Sequence, residues 1–147
     1  MDVMVTDEHI FTPSLRGDGL LSEEECRALL ATRTLGRIAL TSGALPVIMP
    51  VEYVYADGVI TFRSERDTSL RAAAEGDVLA FEIDFYDPHE RAGWSVLVLG
   101  RATVLTSDHE VSQLPLFDGS DGEPGHHHYV RLHVELISGR RYVPRLG

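Results

Sequence analysis

The chain of 147 residues contains 44% hydrophobic and 24% charged residues, which is typical of a single soluble globular domain with a real core. Its 23 acidic residues outnumber the 13 basic ones, and the formal net charge of −10 argues against a protein that binds nucleic acid non-specifically. Cys26 is the only cysteine, the N-terminus lacks a signal-peptide pattern, and no apolar run reaches the roughly 18 residues of a membrane span. We therefore expect a cytoplasmic protein that binds neither membranes nor nucleic acid.

The N-terminal part divides into an arm and the start of a helix. Residues 1–20 are mixed in character and rich in turn-forming residues, so we expect an N-terminal arm ahead of a single domain over residues 21–147. The first predicted element of that domain is a helix over Ser22–Arg33. Ser22 and Glu25 have the spacing of a capping box, and the acidic first turn suits the helix dipole.

Six strand-like segments follow, because β-branched and aromatic residues recur there in runs bounded by turn residues. The predicted strands are Gly36–Ser42, Leu45–Asp57, Val59–Arg63, Val78–Tyr86, Trp94–Thr106 and His128–Gly139. The fourth of these shows period-two alternation, which predicts a strand with one buried face. One face carries Leu79, Phe81, Ile83 and Phe85, and the other carries Ala80, Glu82, Asp84 and Tyr86. Two further helices are predicted over residues 68–75 and 108–114, and a polar, Gly-rich loop over residues 115–127.

Four residues predict where the strands turn, bend or lie at an edge of the sheet. Asp57 and Gly58 predict a hairpin turn, Pro50 predicts a sheet edge or a bulge because proline cannot donate to the ladder, and Gly100 predicts a kink in its strand. About six antiparallel strands, with one helix ahead of them and one between them, indicate a mainly β protein built as a small antiparallel barrel.

A polar turn between the third strand and the second helix is the strongest local candidate for a ligand site. It is rich in guanidinium and hydroxyl groups, which are carried by Arg63, Ser64, Arg66, Thr68 and Ser69, with Arg71 one helical turn later. The free N–H groups and the dipole at a helix N-terminus favour an anion, so the turn predicts a phosphate site. The alternative is a solvated turn in which Glu65 and Asp67 pair with the arginines.

Three other groups of residues allow two interpretations each. The adjacent residues His126–His128, with His133 nearby, indicate either a polar loop or a metal site. Glu82 and Asp84 share one strand face and form either a solvated face or a carboxylate pair for acid–base chemistry. Trp94 is either a core or interface residue, or a ring that stacks on a ligand. No GxGxxG or Walker motif is present.

The order of four segments carries a resemblance to a known family. They are GRIAL, LPVIMPVEYVY, GVITFRSERDTSL and VLAFEIDFYDPHERAGWSVLVLGRA. This ordered set resembles the pyridoxamine 5′-phosphate oxidase-like family from about Leu20 to Thr106, and more loosely to Arg141. The resemblance implies a split β-barrel, a homodimer, and FMN bound in the dimer cleft. Some relatives bind a deazaflavin cofactor instead, a few bind haem, and many lack a demonstrated activity.

The resemblance also implies which residues hold the flavin phosphate. Arg63 and Ser64 match the family positions that bind it, and Thr68 lies in the same turn. Ser69 stands where many members carry a lysine for that phosphate, a contact that Arg66 or Arg71 could replace.

The remaining cofactor positions follow from the same resemblance. The segment Met49, Pro50, Val51 and Glu52 matches the strand whose backbone lines the isoalloxazine ring. Glu52 stands where the oxidase has a lysine, which argues against true oxidase activity. Trp94 and Ser95 match positions that face the cofactor from the partner subunit. The Trp-containing motif at the C-terminus of the true oxidases is replaced by LISGRRY, which leaves Arg140 and Arg141 as candidate substrate contacts.

These observations lead to one hypothesis and two alternatives. The hypothesis is a homodimeric, FMN-binding oxidoreductase that acts on a small-molecule substrate, with NAD(P)H as a candidate electron donor and no residue assigned to acid–base catalysis. The first alternative is a deazaflavin-dependent reductase. The second is a non-catalytic protein that binds, stores or senses a flavin or haem.

Overall fold

The computed structural model describes residues 15–64, 76–105 and 128–144. In these ranges the elements are β1 (Leu15–Leu20), α1 (Glu23–Leu30), β2 (Leu35–Ser42), β3 (Leu45–Ala56), β4 (Val59–Ser64), β5 (Val78–Asp87), β6 (Ala92–Leu105), β7 (His128–His133) and β8 (Leu136–Pro144). The predicted helices over residues 68–75 and 108–114 lie outside the described residues. Within the described ranges, no helix has the length and apolar character needed to cross a membrane.

Six of the strands close into an antiparallel barrel. Their order is β6-β5-β2-β3-β4-β7, and β7 pairs with β6 again to complete the ring. β6 has two partners along its length on one side: residues 93–99 pair with β8, whereas residues 102–105 pair with β7. β8 in turn carries β1 on its outer edge. Because β6 leaves one neighbour for another midway, the barrel is split, and the predicted split β-barrel is confirmed.

Gly100 lies at this change of partner. A Cβ atom at Gly100 would overlap the carbonyl oxygen of His133, at the end of β7. The close approach of two backbones requires a residue without a side chain, so the position predicted as a kink is where β6 passes the end of β7.

The C-terminal part differs from the sequence prediction. A single strand over His128–Gly139 is wrong, because β7 ends at His133 and β8 begins at Leu136. Between them the backbone N–H of Glu135 donates to the carbonyl oxygen of Leu99 at 3.1 Å. No glycine or proline marks this break, and alternating apolar residues continue through it. The end of the predicted arm also forms β1, which pairs with the basic half of β8.

α1 closes one side of the barrel. The predicted capping box is confirmed: the Glu25 N–H donates to Ser22 Oγ, and the Ser22 N–H donates to Glu25 Oε1, both at 3.1 Å. The backbone hydrogen bond from Ser22 is the main reason that the pKa of Glu25 is lowered. Cys26 and Leu30 are fully buried, and α1 ends at Leu30, three residues before the predicted end.

The core fills the barrel with side chains from alternate strand positions. The largest fully buried side chains include Tyr53, Phe62 and Phe81. The rings of Tyr53 and Phe81 meet edge to face, with their centroids 4.8 Å apart. The Tyr53 hydroxyl donates to the carbonyl oxygen of Leu30 at 2.6 Å, which ties the end of α1 to β3. Burial raises the pKa of Tyr53 to about 12, so this hydroxyl remains a donor at neutral pH.

Candidate functional site

The segment that was predicted to line a ring forms an open edge of β3. Residues 45–52 pair with β2 on one side, and pairing with β4 begins only at Tyr53. Within the described residues, the other edge of this segment therefore has no strand partner. Pro50 lies in this half, opposite Arg37 in an uninterrupted register, so it marks an edge and not a bulge. The backbone from Met49 to Glu52 is thus available to a ligand.

The four side chains of this segment divide between two faces. Val51 is buried in the barrel core, and Met49 packs against that core. Pro50 and Glu52 are exposed on the outer face. This division follows from strand geometry, since successive side chains point to opposite sides. A ligand at this edge can meet the backbone groups that point away from β2, together with the outward side chains of Pro50 and Glu52.

The predicted phosphate residues lie one strand further round the barrel. Arg63 and Ser64 end β4, opposite Tyr129 and His128 of β7, and Arg63 is half-buried. The other residues of the predicted phosphate turn, Arg66, Thr68, Ser69 and Arg71, lie outside the described residues.

Trp94 and Ser95 lie on a different part of the barrel. They begin the long strand β6, where Trp94 is paired with Phe85 and Ser95 with Asp84. Around the closed barrel, β3, β2 and β5 separate β4 from β6 on one side, and β7 alone separates them on the other. Through β7, Arg63 is aligned with Leu105, which lies eleven residues along β6 from Trp94. Strand pairing within one chain therefore does not place Trp94 and Ser95 beside Arg63.

A cavity of about 410 Å³ opens between the start of β2 and the end of β5. Its wall is formed by Arg33, Thr34, Leu35, Gly36, Arg37, Pro50, Asp84 and Phe85. This volume falls within the roughly 300–1,000 Å³ of small-molecule sites. Pro50 is the predicted site residue in the wall. We call this space the Arg33 pocket.

Arg33 stacks on two aromatic rings beside this pocket. Its guanidinium carbon lies 5.4 Å from the ring centroid of Phe85 and 5.2 Å from that of Trp94. The two rings lie 6.5 Å apart, tilted by 32°. A cation over the face of an aromatic ring is attracted by the ring's quadrupole. The stack joins Trp94, which was predicted to face a ligand, to a pocket that contains Pro50.

The turn that carries Arg33 is held on both sides. The Thr32 hydroxyl donates to the carbonyl oxygen of Leu29 at 2.7 Å, and the Tyr53 N–H donates to the carbonyl oxygen of Thr34 at 2.9 Å. The sequence pattern assigned Arg33 to the end of a helix and gave no sign of a site. Its partners come from β5 and β6, far away in the chain, so no local spacing could have revealed the stack.

Glu82 and Asp84, the predicted carboxylate pair, are joined by one arginine. Arg37 Nη1 donates to Glu82 Oε1 at 2.8 Å and to Asp84 Oδ2 at 3.1 Å. Partial burial raises the pKa of Glu82 to about 7, with a further contribution from the hydrogen bond and the charge of Asp84. Arg37 opposes this shift only partly, because it is half-exposed and divided between two carboxylates.

This ion cluster borders an apolar patch on the outside of the barrel. Together they form what we call the outer sheet face, defined by Arg37, Ala39, Ile48, Ala80, Glu82, Asp84 and Leu97. These residues line a shallow cavity of about 300 Å³. Ile48 is 70% exposed and Leu97 is 43% exposed, so two large apolar side chains face solvent beside a carboxyl group with a raised pKa.

The histidines and C-terminal arginines have no common site in the described residues. His128 and His133 are the two ends of β7, and no group of three His, Cys, Asp or Glu side chains in the described ranges could hold a metal ion. His126 and His127 lie outside those ranges. Arg141 Nη2 lies 3.5 Å from Glu25 Oε2 on α1, and Arg140 is exposed on β8.

Comparison with known proteins gives concordant results. A family model described as pyridoxamine 5′-phosphate oxidase matches residues 22–141. The uncharacterized protein Rv0080 of Mycobacterium tuberculosis is 37% identical over 128 residues, which span 84% of this chain and 84% of that protein.

Solved structures share the fold. An FAD-binding protein from Mycobacterium smegmatis superposes with a TM-score of 0.69 and 31% identity, covering 85% of this chain and 98% of that one. A second FAD-binding protein, from Mesorhizobium loti, has a TM-score of 0.66 and 23% identity, covering 86% of this chain and 97% of that one. At this lower identity the second match supports the split-barrel fold alone.

Proposed function

This chain belongs to the pyridoxamine 5′-phosphate oxidase family, and we propose that it is a homodimeric flavin-binding oxidoreductase that acts on a small organic molecule. FMN is the proposed cofactor. When bound, a flavin supplies the redox chemistry, and the protein supplies binding, orientation and substrate access. The observation that carries this proposal is the open backbone edge of residues 49–52 with Arg63 one strand away.

The residues at this edge have the chemistry that a flavin requires. The polar rim of the ring requires hydrogen-bond donors and acceptors. Alternate residues of 49–52 point their backbone groups away from β2 and offer both kinds, although Pro50 has no N–H to donate. Pro50 offers an apolar surface beside them. Arg63 has the planar donor fork that suits a phosphate. The description of the M. smegmatis relative as FAD-binding supports a flavin in this chain.

The dimer is supported by two features of the chain. Trp94 and Ser95 lie in the half of β6 that pairs with β5 and β8 and not with β7, so they do not neighbour Arg63 within one chain, and a second copy would bring all of these residues to one cofactor. The outer sheet face exposes Ile48 and Leu97, and an apolar patch of this kind is typical of a self-association surface.

The proposal is tested first by the colour of the protein and by titration. Purified protein, or apoprotein to which FMN is added, should show the visible absorption of an oxidised flavin. Parallel titrations with FAD and a deazaflavin identify the preferred cofactor, and a Soret band would indicate haem instead. A colourless protein that binds no flavin would overturn the proposal.

Arg63→Ala tests the phosphate anchor. Loss of a charged hydrogen bond to the phosphate should weaken FMN binding by about 1.5–3 kcal/mol. Riboflavin, which lacks the phosphate, is the matched ligand, and its affinity should change little. Equal losses for FMN and riboflavin would show that Arg63 acts on the fold and not on the phosphate.

A non-catalytic flavin-binding protein is the second candidate. It is favoured by Glu52, an exposed carboxylate on the open edge where the resemblance implies a lysine in the oxidase. Turnover of NADH or NADPH with an electron acceptor by the flavin-loaded protein separates the two functions. Flavin binding without reduction by either nucleotide would favour the second candidate.

A further inference from the structure

The Arg33 pocket contains a cation that has no carboxylate partner among the described residues. In the described part of the chain, Arg33 forms no salt bridge, although Arg27, Arg37 and Arg141 each have a carboxylate partner. Its contacts are the rings of Phe85 and Trp94. A guanidinium that lies over a ring has its N–H groups around its own edge, where they remain available to an acceptor.

The turn that carries this cation and the two rings beside it restrict its position. The turn that carries Arg33 is anchored by the hydrogen bonds of Thr32 and Thr34 described above. Two rings lie against the guanidinium. The side chain itself is exposed, but the anchored turn and the two rings restrict it, so a ligand that binds it loses less free energy of ordering than it would on an arginine without these contacts.

The rest of the pocket suits the body of a small organic molecule. Leu35, Pro50 and Phe85 give it apolar walls, and its volume of about 410 Å³ is sufficient for a molecule of a few rings. The second arginine of the wall, Arg37, is already bound to Glu82 and Asp84. One unpaired guanidinium beside an apolar wall matches a single carboxylate on an apolar body better than a doubly charged phosphate.

We propose that Arg33 is a specificity-determining residue that binds the carboxylate of a small, planar organic acid held in the Arg33 pocket. The assignment of this acid as substrate rests on the proposed function, because Pro50 places the pocket beside the flavin edge. The anion site itself stands on the geometry of Arg33, Phe85 and Trp94. The two parts can therefore fail separately.

The fluorescence of Trp94 provides the test, because it is the only tryptophan in the chain and lies against Arg33. Apoprotein is titrated with benzoate and with benzamide, which have the same ring but differ in charge. Benzoate should change the emission saturably, and benzamide should bind at least about tenfold more weakly. Equal affinities for the two probes would overturn the proposal.

Variants then assign the effect to one side chain. Arg33→Met keeps an unbranched side chain over the rings and should weaken benzoate binding at least about tenfold, with benzamide unchanged. Arg33→Lys keeps the charge without the planar fork and should give an intermediate loss. Arg101→Met removes a positive charge from the far half of β6 and should leave benzoate affinity unaltered. Unchanged benzoate affinity in Arg33→Met would overturn the proposal.

The titration is repeated on protein saturated with FMN, and the absorption spectrum of the flavin is used to monitor benzoate binding. Benzoate should still bind and should perturb the flavin absorption, as an acid that lies beside the flavin would. Loss of benzoate binding on FMN saturation would show that Arg33 belongs to the flavin site and would overturn the substrate role. If FMN does not bind at all, a benzoate effect that depends on Arg33 still supports the anion site, and only the proposed function fails.

Discussion

The two faces of one sheet differ sharply in this protein. Toward the barrel interior, Ile38, Phe81 and Val98 on three neighbouring strands are completely buried. Their outward neighbours Arg37 and Leu97 remain accessible to solvent. The same strands form both surfaces, because successive side chains point to opposite faces of the sheet. The comparison separates residues that stabilise the barrel from residues that give it a surface.

The outer sheet face is unusual for a surface because it combines apolar exposure with a partly desolvated charge. Ile48 and Leu97 expose large side chains, whereas the carboxyl group of Glu82 is buried enough for its pKa to rise to about 7. An ordinary solvated face would carry separate, fully hydrated charges. Burial of the interior side chains accounts for the folding of the chain. The exposed apolar side chains of the outer sheet face have no such role in the single chain, and the proposed dimer would bury them.

The largest effect on stability should come from a substitution in the barrel interior. Phe81→Ala removes a fully buried ring that contacts Tyr53, so it leaves a cavity at the centre of the barrel. The free energy of unfolding, measured by urea titration, should fall by about 3–5 kcal/mol. Tyr86→Ala is the matched control on the same strand, because Tyr86 is 50% exposed, and it should cost less than about 1 kcal/mol. Equal losses in the two variants would remove the distinction between the faces.

The interior was also the part that the sequence predicted best. Period-two alternation in residues 78–86 identified Leu79, Phe81 and Ile83 as one buried face, and all three are buried. Phe85 follows the same alternation but is 45% exposed, because it lies near the end of β5 beside Arg33. The break between β7 and β8 was missed because a pattern of apolar residues records which face is buried and not where a strand changes partner.

The candidate site was predicted only in parts, for a related reason. Resemblance indicated Pro50, Arg63 and Trp94 individually, but their distances depend on strand order, which the sequence does not encode locally. Arg33 was missed altogether because its role arises from rings on β5 and β6. Contacts within one strand or one helical turn can be read from spacing, whereas a site assembled from several elements requires the fold.

Leu97→Glu tests whether the outer sheet face mediates self-association. A charge in the middle of the apolar patch would have to be buried in a dimer, so the dimer dissociation constant should rise at least about tenfold. Light scattering coupled to size-exclusion chromatography measures the change. Leu97 is 43% exposed but is paired with Glu82 across the sheet, so the two carboxylates should lower the stability of the barrel by no more than about 1 kcal/mol. Thr103→Glu is the control, because Thr103 is exposed on the half of β6 that pairs with β7. A dimer that survives Leu97→Glu would contradict the assignment of this face.

The smallest effect should come from Glu82, and its sign depends on pH. The pKa of Glu82 is raised from the ordinary 4.5 to about 7, so the folded protein holds this proton more tightly than the unfolded chain does. Stability is therefore lost as the pH rises from 4.5 toward 7, and the loss is complete above that range. Glu82→Gln removes the ionisation. Its melting temperature relative to the native protein should increase by about 2 °C between about pH 5 and about pH 8.

Near pH 5 the native Glu82 is protonated, so the amide variant loses the ion pair with Arg37 only near pH 8, and the pKa of about 7 already includes the attraction of Arg37. The change with pH, and not the absolute difference, is therefore the measurement that reports the cost of ionising Glu82. A difference that stays constant with pH would show that Glu82 is as well solvated as an ordinary surface carboxylate. Repeating the measurement at a protein concentration below the dimer dissociation constant separates the two sources of desolvation. An effect that persists there arises within the single chain, whereas an effect that shrinks arises from contact with a second copy.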